Sequence, residues 1–157
     1  MDRVKDVLEK LLLPEGVVDI APGQSKRDVV MSLGQSACDG ATVKPEHLRA
    51  VLDALWDREQ ILSTGIGLGI AVPHVRHANV PVEVMRVGRS RTGLAFDAID
   101  AKPVHAVFTI LMPSGNHRRH VQVLGAIAAA VKEGSRREGI FAAPDSATFV
   151  QRMLAST

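Results

Sequence analysis

The run His105–Met112, HAVFTILM, is apolar at almost every position. A strand with one wet face alternates apolar and polar residues, whereas an uninterrupted apolar strand must be covered on both faces. The chain therefore needs helices above and below a sheet. MDRVKDVLEKLLLPEG at the N-terminus alternates charged and apolar residues every three to four positions, which suits an amphipathic helix and lacks the apolar core of a signal peptide. Ser25 caps a second helix with Val29, Val30, Leu33 and Ala37 on one face and Gly40 just past its end. Pro45 opens a third, in which Leu48, Val51, Leu52, Leu55 and Trp56 form a core-facing stripe that ends near Arg58 and Glu59.

Gly16–Ile20 and Val82–Ser90 read as further strands, and Gly93–Pro103 as a connection carrying Asp97 and Asp100. Asn116 or Ser114 caps a helix with Val121, Leu124, Ile127, Ala128 and Val131 as its stripe, ending at Gly134. Asp145 or Ser146 caps a last one bearing Phe149, Val150, Met153 and Leu154. No repeat or linker interrupts the series, so residues 1–157 read as one α/β domain.

Composition removes several classes of function. The net charge is +2, aromatics make up 3% and tyrosine is absent, which argues against a nucleic-acid partner read through stacked bases. Cys38 stands alone, so neither a disulfide nor a cysteine zinc cage is available, and a reducing cytoplasm is the expected location. No run approaches the roughly 18 apolar residues of a membrane span.

The candidate site is STGIGLGIAVPHVRH, Ser63 to His77. Gly65, Gly67 and Gly69 miss the G-x-G-x-x-G spacing of a dinucleotide fingerprint, and no Gly-Lys-Ser/Thr follows to make a phosphate-binding P-loop. His74 and His77, with His105, His117 and His120 downstream, keep open a metal site and a metal-dependent hydrolase. Three-residue spacing brings two ligands together only on a helix, however, and Arg76 between them repels a cation. The remaining reading has a strand and a proline turn presenting His74 as a nucleophile. Its neutral imidazole would attack phosphorus, while the backbone N–H groups of Ser63, Thr64, Gly65, Gly67 and Gly69 cradle phosphate.

STGIGLGIAVPH resembles the phosphorylation-site signature of enzyme IIA domains of the fructose/mannitol class in the bacterial phosphotransferase system, including the nitrogen-regulatory type. REQIL (Arg58 to Leu62) and GLAFDAIDAKPVHAVFTILMPSGNHRRHVQVLGAIA are similar to further segments of that family, so the resemblance covers nearly the whole chain. It implies a mixed β-sheet sandwiched between helices. It also implies that His74 accepts a phosphoryl group through Nε2, that His120 contacts that group at a helix start, and that Arg58 offsets its charge. The implied donor is the histidine-containing phosphocarrier protein. The implied recipient is an enzyme IIB cysteine in sugar transport, or a regulatory target protein in nitrogen regulation, toward which a domain without a fused partner leans. No metal or cofactor is called for, and Ile66, Leu68 and Ile70 would form the apolar patch that receives the carrier. Two departures stand out: Leu68 replaces the family's usual asparagine, and Val75-Arg76-His77 replaces a glycine-containing continuation. His77 reads as a solvated loop residue, and His47, His105 and His117 as surface or core residues.

Overall fold

A computed structural model of the chain describes residues 3–155. In chain order its elements are α1 (Arg3–Leu8), β1 (Val17–Asp19), α2 (Lys26–Gly40), α3 (Pro45–Ile61), β2 (Gly65–Gly67), β3 (Ile70–Ala71), β4 (His74–His77), β5 (Val84–Leu94), β6 (Val104–Pro113), α4 (His117–Ala130), α5 (Gly134–Phe141) and α6 (Ser146–Leu154). The apolar run lies in β6, at the centre of a six-stranded mixed sheet of order β1-β5-β6-β3-β2, with β4 also on β6. β5 runs antiparallel to β6, and β3 and β4 run parallel to it.

Alternation along β6 divides the core. Ala106, Phe108, Ile110 and Met112 meet a layer made from Leu8 of α1, Val123 and Ile127 of α4, Ile140 of α5, and Phe149 and Met153 of α6. Val107 packs against Val29, Val30 and Leu33 of α2 and Leu55 of α3, and Leu111 against Ala37, Cys38, Val51 and Leu52. Both faces of β6 are thus dry, as its composition requires.

Local signals hold at most helix starts. The Ser25 hydroxyl accepts the N–H of Asp28, and Pro45 occupies the first turn of α3. Of the paired alternatives, Asn116 caps α4 and Asp145 caps α6, through the N–H groups of Arg119 and Thr148. The ends and stripes differ more. α1 stops at Leu8, with Leu11 and Leu12 buried in the turn that follows, and Met1 and Asp2 lie outside the described residues. α3 continues to Ile61, and β5 runs on to Leu94.

Of the stripe read for α4, Ile127 and Val131 are buried and Leu124 packs against the core. Val121 is exposed, while Val123, Ala126, Ile127 and Ala130 face the core. α4 also ends at Ala130 rather than Gly134, because Gly134 begins α5, an element with no apolar periodicity and only Ile140 buried. Glu133 starts it by accepting the N–H groups of Ser135 and Arg136.

Candidate functional site

His74 stands at the first position of a strand, not in a turn. β3 and β4 lie on one line along β6, broken only at Val72-Pro73. The ring is nearly enclosed, at 9% exposure, and its Nδ1 lies 2.5 Å from the Val72 carbonyl oxygen. A carbonyl only accepts, so the neutral ring carries its proton on Nδ1 and keeps the lone pair on Nε2. Burial pushes the His74 pKa below its ordinary 6.5; the Val72 hydrogen bond opposes this, and the nearby Arg58 charge adds to the depression. At neutral pH the ring is therefore uncharged, with Nε2 as its free basic atom.

The second ring comes from α4. His120 lies in the first turn of this helix, its centroid 4.8 Å from that of His74, and His117 stacks beside it at 5.9 Å. Desolvation first, then the fields of His74, Arg76, His117 and Arg58, bring the His120 pKa down to about 4. Its Nδ1 is buried without a hydrogen-bond partner. Such an atom is free to form a hydrogen bond with a group entering the site.

These rings border a cavity of about 460 Å³ lined by Arg58, His74, Val75, Arg76, Ser114, Gly115 and His120. Two arginines and the turn leading into the N-terminus of α4 give it a positive character, and no carboxylate is in the lining. A helix start adds its own partial positive charge. Arg58 projects from the last turn of α3 and is steadied by donating from Nη1 to the Leu62 carbonyl at 2.9 Å. The geometry suits a compact anion with several oxygens, held beside an uncharged imidazole.

Of the residues singled out in the sequence, His74, His120 and Arg58 are thus brought together. Ser63, Thr64, Gly65, Gly67 and Gly69 are not in the cavity lining. Some main-chain groups of this segment already have partners within the fold. The Thr64 N–H donates to Glu59, the Gly65 N–H to the Ser63 hydroxyl, and Gly65 and Gly67 pair with β3. Gly65 is required by close approach, since a Cβ there would stand 2.8 Å from Cα of Ala98.

Ile66 and Leu68 are 44% and 42% exposed, but Ile70 is fully buried and leaves the expected patch. Exposed Ile61, Leu62 and Ile99 were not anticipated as apolar surface. His77 accepts the Asn79 N–H on Nδ1, and His105 donates from Nδ1 to the Ser90 carbonyl. Among the described residues, no group of three or more His, Cys, Asp or Glu side chains is arranged to hold a metal ion. Arg76, Ser114 and Gly115 were missed. Strand alternation from His74 would have found Arg76, two residues on and on the same side.

Fold and cavity together define a mixed α/β domain of the enzyme IIA type. The chain belongs to the family described as phosphoenolpyruvate-dependent sugar phosphotransferase system, EIIA 2, whose model matches residues 11–156. It is 34% identical over 134 residues to a fructose-specific EIIA component of the phosphotransferase system from Haloferax volcanii, covering 85% of each chain. It is 30% identical over 145 residues to a nitrogen regulatory protein from Pseudomonas aeruginosa, covering 92% of each. The crystal structure of the nitrogen regulatory protein IIA-Ntr from Neisseria meningitidis superposes with a TM-score of 0.83 at 28% identity, over 94% of this chain and 99% of that one. The protein is accordingly a component of a phosphoryl-transfer system, and no helix among its described residues is long and apolar enough to cross a membrane.

Proposed function

We propose that the chain is a cytoplasmic phosphoryl carrier whose acceptor atom is Nε2 of His74. The observation that carries this reading is the His74 ring itself, fixed by Val72 with its proton on Nδ1 and facing His120 in a cavity with Arg58 and Arg76. In the transfer, Nε2 forms a bond to phosphorus as the bond from phosphorus to the donor imidazole of the histidine-containing phosphocarrier protein breaks. The donor ring leaves with the electron pair, and the phosphoryl group keeps its oxygens and charge. Little covalent chemistry falls to the protein, which supplies positioning and charge stabilisation of a loose transition state. Arg58, Arg76 and the start of α4 supply the charge, and the orphaned Nδ1 of His120 offers a hydrogen-bonding partner near the phosphoryl oxygens.

Incubation with phosphoenolpyruvate, enzyme I and the phosphocarrier tests the proposal. One acid-labile, base-stable phosphate per chain is expected, lost in His74→Ala. An adduct that persists in His74→Ala defeats the assignment.

Downstream, the phosphoryl group passes to a cysteine of an enzyme IIB or serves as a regulatory mark. The similarity to a nitrogen regulatory protein over 92% of each chain favours the regulatory branch. In that branch the dianion on His74 changes the affinity of the surrounding surface, with exposed Ile61, Leu62, Ile66 and Leu68, for a target protein. Pull-downs with phosphorylated and unphosphorylated chain should capture different partners, and identical sets would exclude a switch.

A further inference from the structure

A buried ion pair is connected to the His74 ring by successive hydrogen bonds. The Glu59 side chain is 1% exposed and lies 3.0 Å from Nζ of Lys26, whose side chain is 16% exposed. Its two carboxylate oxygens accept the N–H of Thr64 at 2.9 Å and the Thr64 hydroxyl at 2.5 Å. The Thr64 carbonyl accepts the N–H of Val72 at 3.1 Å, and the Val72 carbonyl accepts Nδ1–H of His74. Thr64 and Val72 are thus each held at both main-chain groups, and the last link in the series sets the tautomer of the acceptor ring.

Lys26 ties the same segment to the rest of the fold. Nζ is 3.5 Å from the Ser63 hydroxyl, which donates to the Phe96 carbonyl, and it sits 4.6 Å from the centroid of the Phe96 ring. Burying two charges in this way adds little to stability, because an apolar pair of similar volume is commonly neutral or better. An apolar pair, however, offers no acceptors for the N–H and hydroxyl of Thr64. Directional hold on Thr64 is what the carboxylate supplies, and the ammonium 3.0 Å away keeps that carboxylate aimed.

Resting on the reading of His74 as the acceptor, we infer that Lys26 and Glu59 are positioning residues for phosphoryl transfer, which act through Thr64 and Val72 to fix the orientation and tautomer of the His74 ring. Neither touches the cavity. Their effect belongs to the chemical step and not to docking of the donor.

Two readouts on the full chain test this. Nitrogen–proton correlation NMR of unphosphorylated protein reports the His74 tautomer, and transfer kinetics with the phosphorylated phosphocarrier separate kcat from KM. Glu59→Ala is expected to turn a pure Nδ1–H signature into a tautomer mixture and to lower kcat about tenfold or more, with KM changed by less than about twofold. Glu59→Gln, which keeps an acceptor for Thr64, should recover part of both. Should Glu59→Ala not fold, Lys26→Met and Thr64→Val take its place, with smaller changes in the same two readouts. An unchanged tautomer, or a loss confined to KM, in a folded variant overturns the inference. A wild-type chain that takes up no phosphoryl group defeats the acceptor reading instead, while the tautomer measurement still decides whether Glu59 and Lys26 hold the ring.

Discussion

Acidification should weaken the fold through His120. Burial, then the fields of His74, Arg76, His117 and Arg58, hold its pKa at about 4 against an ordinary 6.5. As pH falls through 6.5 the unfolded chain protonates this ring, whereas the folded chain does so only near 4. The unfolded state then binds more protons, so stability present at neutral pH is progressively lost from about pH 6.5 down to about 4. For a fully dry ring the difference would amount to about 3 kcal/mol. His120 is only half-buried beside an open cavity, and solvent screening reduces this to about 1–1.5 kcal/mol. Urea unfolding at pH 7 and pH 4.5 measures it, with His120→Gln as a variant that fills similar space and cannot titrate. The wild type should lose about 1 kcal/mol more than the variant between the two pH values. The depressed pKa of His74 acts in the same window and remains in both proteins, so the difference reports His120 and its coupling to His74. Equal losses would refute the argument that a desolvated, positively surrounded ring sits at the site.

Phosphorylation should reverse part of that depression. A dianion on His74, whose ring centroid is 4.8 Å from that of His120, favours the charged imidazolium and should raise the His120 pKa; NMR titration that finds no rise would mean the phosphoryl group faces elsewhere. Leu68→Asn should stabilise the chain. Leu68 holds φ of 60°, a left-handed conformation that costs a branched aliphatic residue about 1 kcal/mol and that asparagine tolerates, so Tm should rise by about 2–4 °C, and a calorimetric scan with no rise would contradict that account.

The elements legible in the sequence were those with a strong period or a cap. The stripe from Val51 to Leu55 and the dry run of β6 are buried as their patterns require. α5 escaped because its cohesion comes from the Glu133 carboxylate that caps its start and from a single buried Ile140, neither of which leaves a periodic trace. At the site, His74, Arg58 and His120 could be named from motif resemblance, and they do share a cavity. Glycine-rich sequence fits both an anion nest and tight packing. Here packing accounts for Gly65 against Ala98 and for Gly69, at φ of 76°, against the Phe141 ring. Lys26 carried no signal at all, being a helix-start lysine distant in sequence from Glu59, and only the fold brings the two within 3.0 Å.

The break at Val72-Pro73 explains why His74 and Arg76, and not Val75 and His77, supply the polar groups of the cavity. Register against β6 is constant across the break, with Ile70 opposite Ala106, Ala71 opposite Val107, His74 opposite Ile110 and His77 opposite Pro113. Pro73 brings no N–H that would need a partner, yet its carbonyl still accepts the Ile110 N–H at 2.9 Å, so the strand line survives the interruption. The Val72 carbonyl is then taken by the ring two residues on. Residues 74 and 76 share one side of β4, and 75 and 77 the other, where His77 serves the turn at Asn79. A slip of one residue would exchange the two sets and remove the imidazole and the second arginine from the cavity together. Pairing on β6 therefore fixes which side chains reach the anion, and the Glu59–Thr64–Val72 series fixes how one of them is held when it does.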